Sequence, residues 1–162
     1  MRPRTNGGMS MSNVKINNAI NLTYPDNFKE MSDEELTRYF SSPKNRWGVY
    51  NADEHIILSI SWTKAGFLTD AEMMLMDIEA RLSRRLLNYQ KISSFKTKVA
   101  SKKAHGIRFE YRVNDARIVQ VSDMIVFKVK NRFYAIHYIT RKVNAASSRL
   151  VLEEVLKSVS VG

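Results

Sequence analysis

Apolar residues recur at two spacings along this chain, and the spacing divides it into strands and helices. The clearest period of two runs from Ala104 to Arg141. Ile107, Phe109, Tyr111 and Val113 alternate with Arg108, Glu110 and Arg112, the pattern of a half-buried strand. Asn114-Asp115-Ala116 then turns the chain. The run Arg117 to Val129 is rich in β-branched residues, and Lys130-Asn131 offers a two-residue turn because Asn tolerates positive φ. Arg132 to Arg141 returns as a third strand.

With loops of three and two residues, Tyr111 faces Val119, Phe109 faces Val121, Phe127 faces Tyr134 and Ile125 faces Ile136. One face is then almost wholly apolar. The other carries Arg108, Glu110, Arg112, Gln120, Lys128 and His137, mixed with Met124, Val126 and Ile139. A slip of one residue would bury arginines, so this register is the expectation.

Earlier segments follow the same logic. Val14 to Ile16 and Ile20 to Tyr24 flank Asn17-Asn18 as a first hairpin, and Arg46 to Ala52 with His55 to Thr63 makes a second about Asp53-Glu54. Between them Ser32 and Glu35 have capping-box spacing, with Met31 and Leu36 placed as a hydrophobic staple, and Ser41-Ser42-Pro43 ends that helix. Thr69 and Glu72 repeat the box, with Leu68 and Met73 as the apolar pair. A long helix is predicted from Asp70 to about Tyr89, since Ala71, Leu75, Ile78, Leu82, Leu86 and Tyr89 recur at helical steps. Its acids lie early and its arginines late, the order that suits the helix dipole. Lys91 to Ala100 is a further strand. A last helix after Asn144 buries Leu152, Val155, Leu156 and Val159.

That order, with LTYPDNF before the first capped helix, then GIRFEYRV, YAIHYITR and a closing VLKSVSV, resembles the PsbP-like superfamily. The resemblance runs from about Val14 to Val161. It implies an α+β fold, an antiparallel sheet of roughly six to eight strands flanked by helices. It also implies a scaffold that binds proteins and is usually not an enzyme, and it brings no site residue with it. Residues 1–12 read as a polar leader or tail, and 13–162 as one α+β domain.

The chain carries a net charge of +10, unevenly placed. Residues 1–90 hold 11 Lys and Arg against 11 Asp and Glu, whereas 91–162 hold 15 against 5. Such asymmetry points to an acidic partner, set against the plain alternative of solvated strand faces. Cysteine is absent, which removes disulfides, thiolate ligands and cysteine nucleophiles. No apolar run reaches membrane-spanning length, so the expectation is a soluble, cytoplasmic chain, or an exported one whose native signal has been removed.

Catalytic and metal-binding patterns do not assemble. His55, His105 and His137 fall on different elements without metal-ligand spacing, and no phosphate-cradling glycine loop or nucleophile elbow occurs. Asp123 falls on the apolar face across from Tyr138, where a raised pKa could make it an acid or base. A bulge at Ser122-Asp123 or a bond from the Tyr138 hydroxyl is the preferred account of it. His137 has the same two readings. No cofactor, metal or catalytic residue is assigned.

What remains is a binding surface. Arg108, Arg112, Arg117, Lys128, Lys130 and Arg132, with Met124 as an exposed apolar member, form the candidate partner site. The leading expectation is a non-enzymatic interaction or adaptor module for an acidic protein. The alternative is nucleic-acid binding through the same cations. A homodimer is compatible with either.

Overall fold

Local chemistry explains where the strands turn. Asn17 and Asn18 both adopt positive φ (51° and 53°), which Asn tolerates through its short polar side chain, and they join β1 (Met11–Ile16) to β2 (Ile20–Pro25). The structure is a computed structural model and describes residues 10–162. The predicted leader therefore lies outside the described residues apart from its last three, and two of these, Met11 and Ser12, open β1.

After the two-residue β3 (Lys29–Glu30) comes α1 (Asp33–Phe40). Ser32 and Glu35 close the anticipated capping box, and Ser41 caps the C-terminus in the left-handed region. Met31 and Leu36 are both buried. The second hairpin is β4 (Arg46–Asn51) and β5 (Ile56–Lys64), followed by α2 (Ala71–Arg85). The meander is β6 (Leu87–Val99), β7 (Lys102–Val113), β8 (Ile118–Val129) and β9 (Arg132–Arg141); α3 (Ala145–Ser158) and the short β10 (Ser160–Val161) close the chain.

Seven antiparallel strands form the main sheet in the order β3-β4-β5-β9-β8-β7-β6, and β1-β2-β10 form a small second sheet. The fold is α+β, as predicted. Both faces of the main sheet carry packed elements. On one, α3 and the small sheet bury Leu22, Trp47, Leu58, Ile125, Phe127, Tyr134, Ile136, Leu152 and Val155. On the other, α2 buries Ile107, Phe109, Tyr111, Met124, Val126 and Phe133, while α1 lies over Gly48. A Cβ at Gly48 would fall 2.9 Å from Met31 Sδ and 3.1 Å from Leu36 Cδ2, so this glycine allows the helix to approach β4 closely.

Three sequence expectations are corrected. The β7–β8 loop holds four residues, closing on Val113 opposite Ile118, so Tyr111 faces Gln120 and Phe109 faces Ser122. Three successive left-handed residues, Asn114, Asp115 and Ala116, leave Arg117 inside the loop. The β8–β9 register is as predicted, with Phe127 opposite Tyr134 and Ile125 opposite Ile136, though the left-handed turn residue is Lys130 (φ 54°).

The long helix stops at Arg85, because residues 87–99 exchange helical bonds for a ladder with β7. Leu86 and Tyr89 still pack on the α2 core, now from extended backbone. The N-cap of α2 is Asp70, whose carboxylate accepts from Met73 N, and the Leu68–Met73 staple does not form because both side chains are exposed.

Candidate functional site

The corrected register redistributes the predicted binding residues. Arg108 turns to the α3 side of the sheet, where its Nε donates to Asp123 Oδ1 at 2.9 Å. Met124, expected to be exposed, is only 6% exposed, and Val126 and Ile139 are buried with it on the helix side of the sheet. They occupy the face that sequence reading left open to solvent. Arg112 and Arg117 remain exposed at the β7–β8 loop, where Arg112 Nη1 donates to Ala116 O at 3.1 Å. Lys128, Lys130 and Arg132 are exposed at the opposite end of β8. Roughly 35 Å of strand separates the two groups, at about 3.3 Å per residue.

The β8–β9 end gathers further cations from neighbouring strands. Lys98 is the direct cross-strand partner of Lys103, and Lys64 that of Arg132. Like charges placed opposite each other destabilise a ladder. None of Lys64, Lys98, Lys102, Lys103, Lys128, Lys130 and Arg132 forms an ion pair with a described residue; Lys128 Nζ lies 5.9 Å from the Phe133 ring centroid. This rim is basic along five adjacent strand ends.

An apolar projection stands beside it. Ala65 N donates to Asn131 O at 2.7 Å, tying the β5–α2 loop to the β8–β9 turn. Two residues further on, Phe67 is 98% and Leu68 82% exposed. Lys64, Lys98, Lys102, Lys103, Phe67 and Leu68 were absent from the sequence-based set. The Lys102-Lys103 dipeptide and an apolar pair set between Gly66 and Thr69 were the available signals.

The two acid–base candidates do not come together. Burial raises the Asp123 carboxyl, while the Arg108 charge and hydrogen bond oppose the rise. Its partner is Arg108, whereas the Tyr138 hydroxyl donates to Ser148 O at 2.7 Å. Burial, reinforced by the Arg46 charge, holds His137 down to about 3, so the ring is neutral at physiological pH. Asp123 pairs with Tyr138 and His137 with Met124, so the two side chains lie on opposite faces of the sheet. Among the described residues no group of three or more His, Asp or Glu side chains is placed to hold a metal.

Solved structures share this architecture. The cyanobacterial PsbP protein CyanoP of Synechocystis sp. PCC 6803 aligns with a TM-score of 0.70 at 13% identity, over 95% of this chain and 94% of its own. The fold is PsbP-like. LpqN of Mycobacterium tuberculosis, described as involved in cell envelope biogenesis, aligns at 0.66 and 10% identity, over 99% of this chain and 89% of its own. The Ran-binding protein Mog1p of Saccharomyces cerevisiae aligns at 0.63 and 11% identity, over 94% and 96%. Family sequence models and curated protein sequences give no match. At such identities the likeness concerns the fold.

Among the described residues no helix is long and apolar enough to cross a membrane.

Proposed function

We propose that this protein is a non-enzymatic interaction module, an adaptor that docks an acidic protein segment on the rim formed by the ends of β5, β7, β8 and β9 and the adjoining end of β6. The carrying observation is the two like-charge cross-strand pairs, Lys98 with Lys103 and Lys64 with Arg132, left without carboxylate partners among the described residues. An acidic segment supplies the missing counter-charges, and Phe67 and Leu68 give it an apolar anchor. A structural neighbour described as Ran-binding gives the reading a precedent on this scaffold. Arg112 and Arg117, at the far end, fall outside this site.

Nucleic acid would use the same cations but also seeks stacking surfaces. Phe127, Phe133 and Tyr134 are buried, which leaves Phe67 as the single largely exposed ring beside the rim among the described residues; one ring serves as an apolar anchor but not as a stacking platform for successive bases, which favours protein.

The test is binding of a Glu-rich peptide containing Leu and Phe, compared with a single-stranded oligonucleotide of equal charge. The peptide is expected to bind, to weaken with salt, and to be lost in Lys98→Glu/Lys103→Glu. Arg112→Glu/Arg117→Glu is expected to retain it. Equal loss in both variants would reduce the effect to net charge, and tighter binding of the oligonucleotide would transfer the rim to the alternative.

A further inference from the structure

The helix-covered face of the main sheet is not fully closed. α1 lies over β4 and α2 over β7 and β8, and between them runs an open groove of about 400 Å³. Its floor comes from β5, β8 and β9, where Ser61 and Ala135 are direct partners. These small side chains leave space that larger ones would fill. Tyr39 and Phe40 form one wall, and Met74, Ile78 and Leu82 the other.

The charges in this groove are of one sign. Arg46, Arg81 and Arg85 line it, and no Asp or Glu does. Arg81 is engaged by Asp77 on its own helix, at 3.3 Å. Arg46 is different. It is half-buried, its Nη1 donates to Ser59 Oγ at 2.9 Å, and its Cζ sits 4.1 Å from the Phe40 ring centroid. It forms no ion pair with any described residue. Burial pulls its guanidinium down to about 10, so it remains charged at neutral pH. A partly buried cation is ordinarily matched by an anion. The floor adds a second unmatched group, since His137 Nε2 is buried without a hydrogen-bond partner among the described residues.

We propose that the groove between α1 and α2 binds an aliphatic carboxylate, its head group on Arg46 and its chain along Ile78, Leu82, Met124 and Phe133. A guanidinium with free N–H donors matches a carboxylate in shape and charge. The volume suits a small amphipathic molecule, as apolar pockets with a few placed polar groups generally do. Neutral His137 contributes hydrogen-bonding capacity without adding charge. The site is independent of the basic rim and uses none of its cations.

Titration calorimetry of the full chain with sodium decanoate below its aggregation concentration tests the proposal, with decanol and decyltrimethylammonium as controls. Decanoate is expected to bind at least about tenfold more tightly than either, and Arg46→Met to remove that margin. Because Arg46 also rests on Phe40 and Ser59, a second variant guards against a folding defect. Ile78→Trp fills the groove, and it is expected to abolish binding while the melting temperature is retained. Amide shift mapping is expected to mark Ala135 and Met74, leaving Lys98 and Lys103 unmoved. Equal affinity for decanol, undiminished binding in Ile78→Trp, or shifts confined to the rim would each overturn the assignment. The last outcome would leave the rim proposal standing.

Discussion

Arg108 and Asp123 are direct cross-strand partners on β7 and β8, joined by an Nε to Oδ1 bond of 2.9 Å with the carboxylate side chain 9% exposed. The pair marks the register that the chain adopts. In the three-residue-loop register Asp123 stands alone on an apolar face, and Arg108 points elsewhere. Moving by one residue partly buries an arginine, which patterning disfavours, yet it gives a buried carboxylate its counter-charge. Leaving that charge unmatched is the larger cost.

Arg108→Met is therefore expected to destabilise the protein by about 3 kcal/mol, the cost of stranding a buried charge. Arg108→Met/Asp123→Leu should regain most of it, as read by chemical denaturation. Burial raises the folded-state pKa of Asp123 above 3.8. The folded state therefore takes up a proton more readily than the unfolded one, and stability falls as pH rises through that window. The deficit of Arg108→Met should accordingly be full at neutral pH and shrink on acidification. A deficit independent of pH would show that lost packing, not the charge, is responsible.

His137 carries the opposite sign. Its pKa falls from 6.5 to about 3 on folding, so below 6.5 the unfolded chain binds the extra proton. Stability should decline by about 1.4 kcal/mol for each pH unit between 6.5 and the folded value. His137→Gln should flatten that part of the acid-unfolding curve. In proton NMR the His137 ring signals should stay unshifted down to pH 5, and a midpoint near 6.5 would contradict the burial argument.

Gly106 lies opposite Phe95, and a Cβ there would collide with the Phe95 ring. The ring covers the space the glycine leaves. Gly106→Ala is expected to cost about 1–3 kcal/mol, the usual range for overpacking, and much less in a Phe95→Leu background. Additive losses across the two substitutions would place the cost in the backbone instead.

The Ser32 cap holds the start of α1, whose far end walls the groove. Ser32→Ala is expected to lower stability by about 1 kcal/mol. Ser32→Asp should be close to neutral, since Asp caps equally well. Thermal melts of both variants check this.

Much of the fold was legible in the residues. Period-two runs marked β1, β2, β4, β5, β7, β8 and β9, and Ser32 with Glu35 located α1, because side-chain alternation and capping are local effects. The end of α2 was not legible. Leu86 and Tyr89 keep a helical phase, but the hydrogen bonds of residues 87–99 to β7 decide the matter, and periodicity does not contain them. The β7–β8 register hid for a similar reason. One residue of loop length, Arg117, decided which face Arg108 joined, and the choice turned on Asp123, fifteen positions away.

The candidate surfaces divide along the same line. Sequence alone determined that the second half of the chain is strongly basic and that the fold is an antiparallel sheet with helices, since charge and alternation are properties of the residues themselves. Only the tertiary structure decided that Met124 is covered, and that Arg112 and Lys128 stand at opposite ends of the sheet. It likewise brought Lys98 to face Lys103, and left Arg46 at a groove without a carboxylate. Those relationships depend on which strands and helices become neighbours, and that is fixed by the joint burial of both sheet faces.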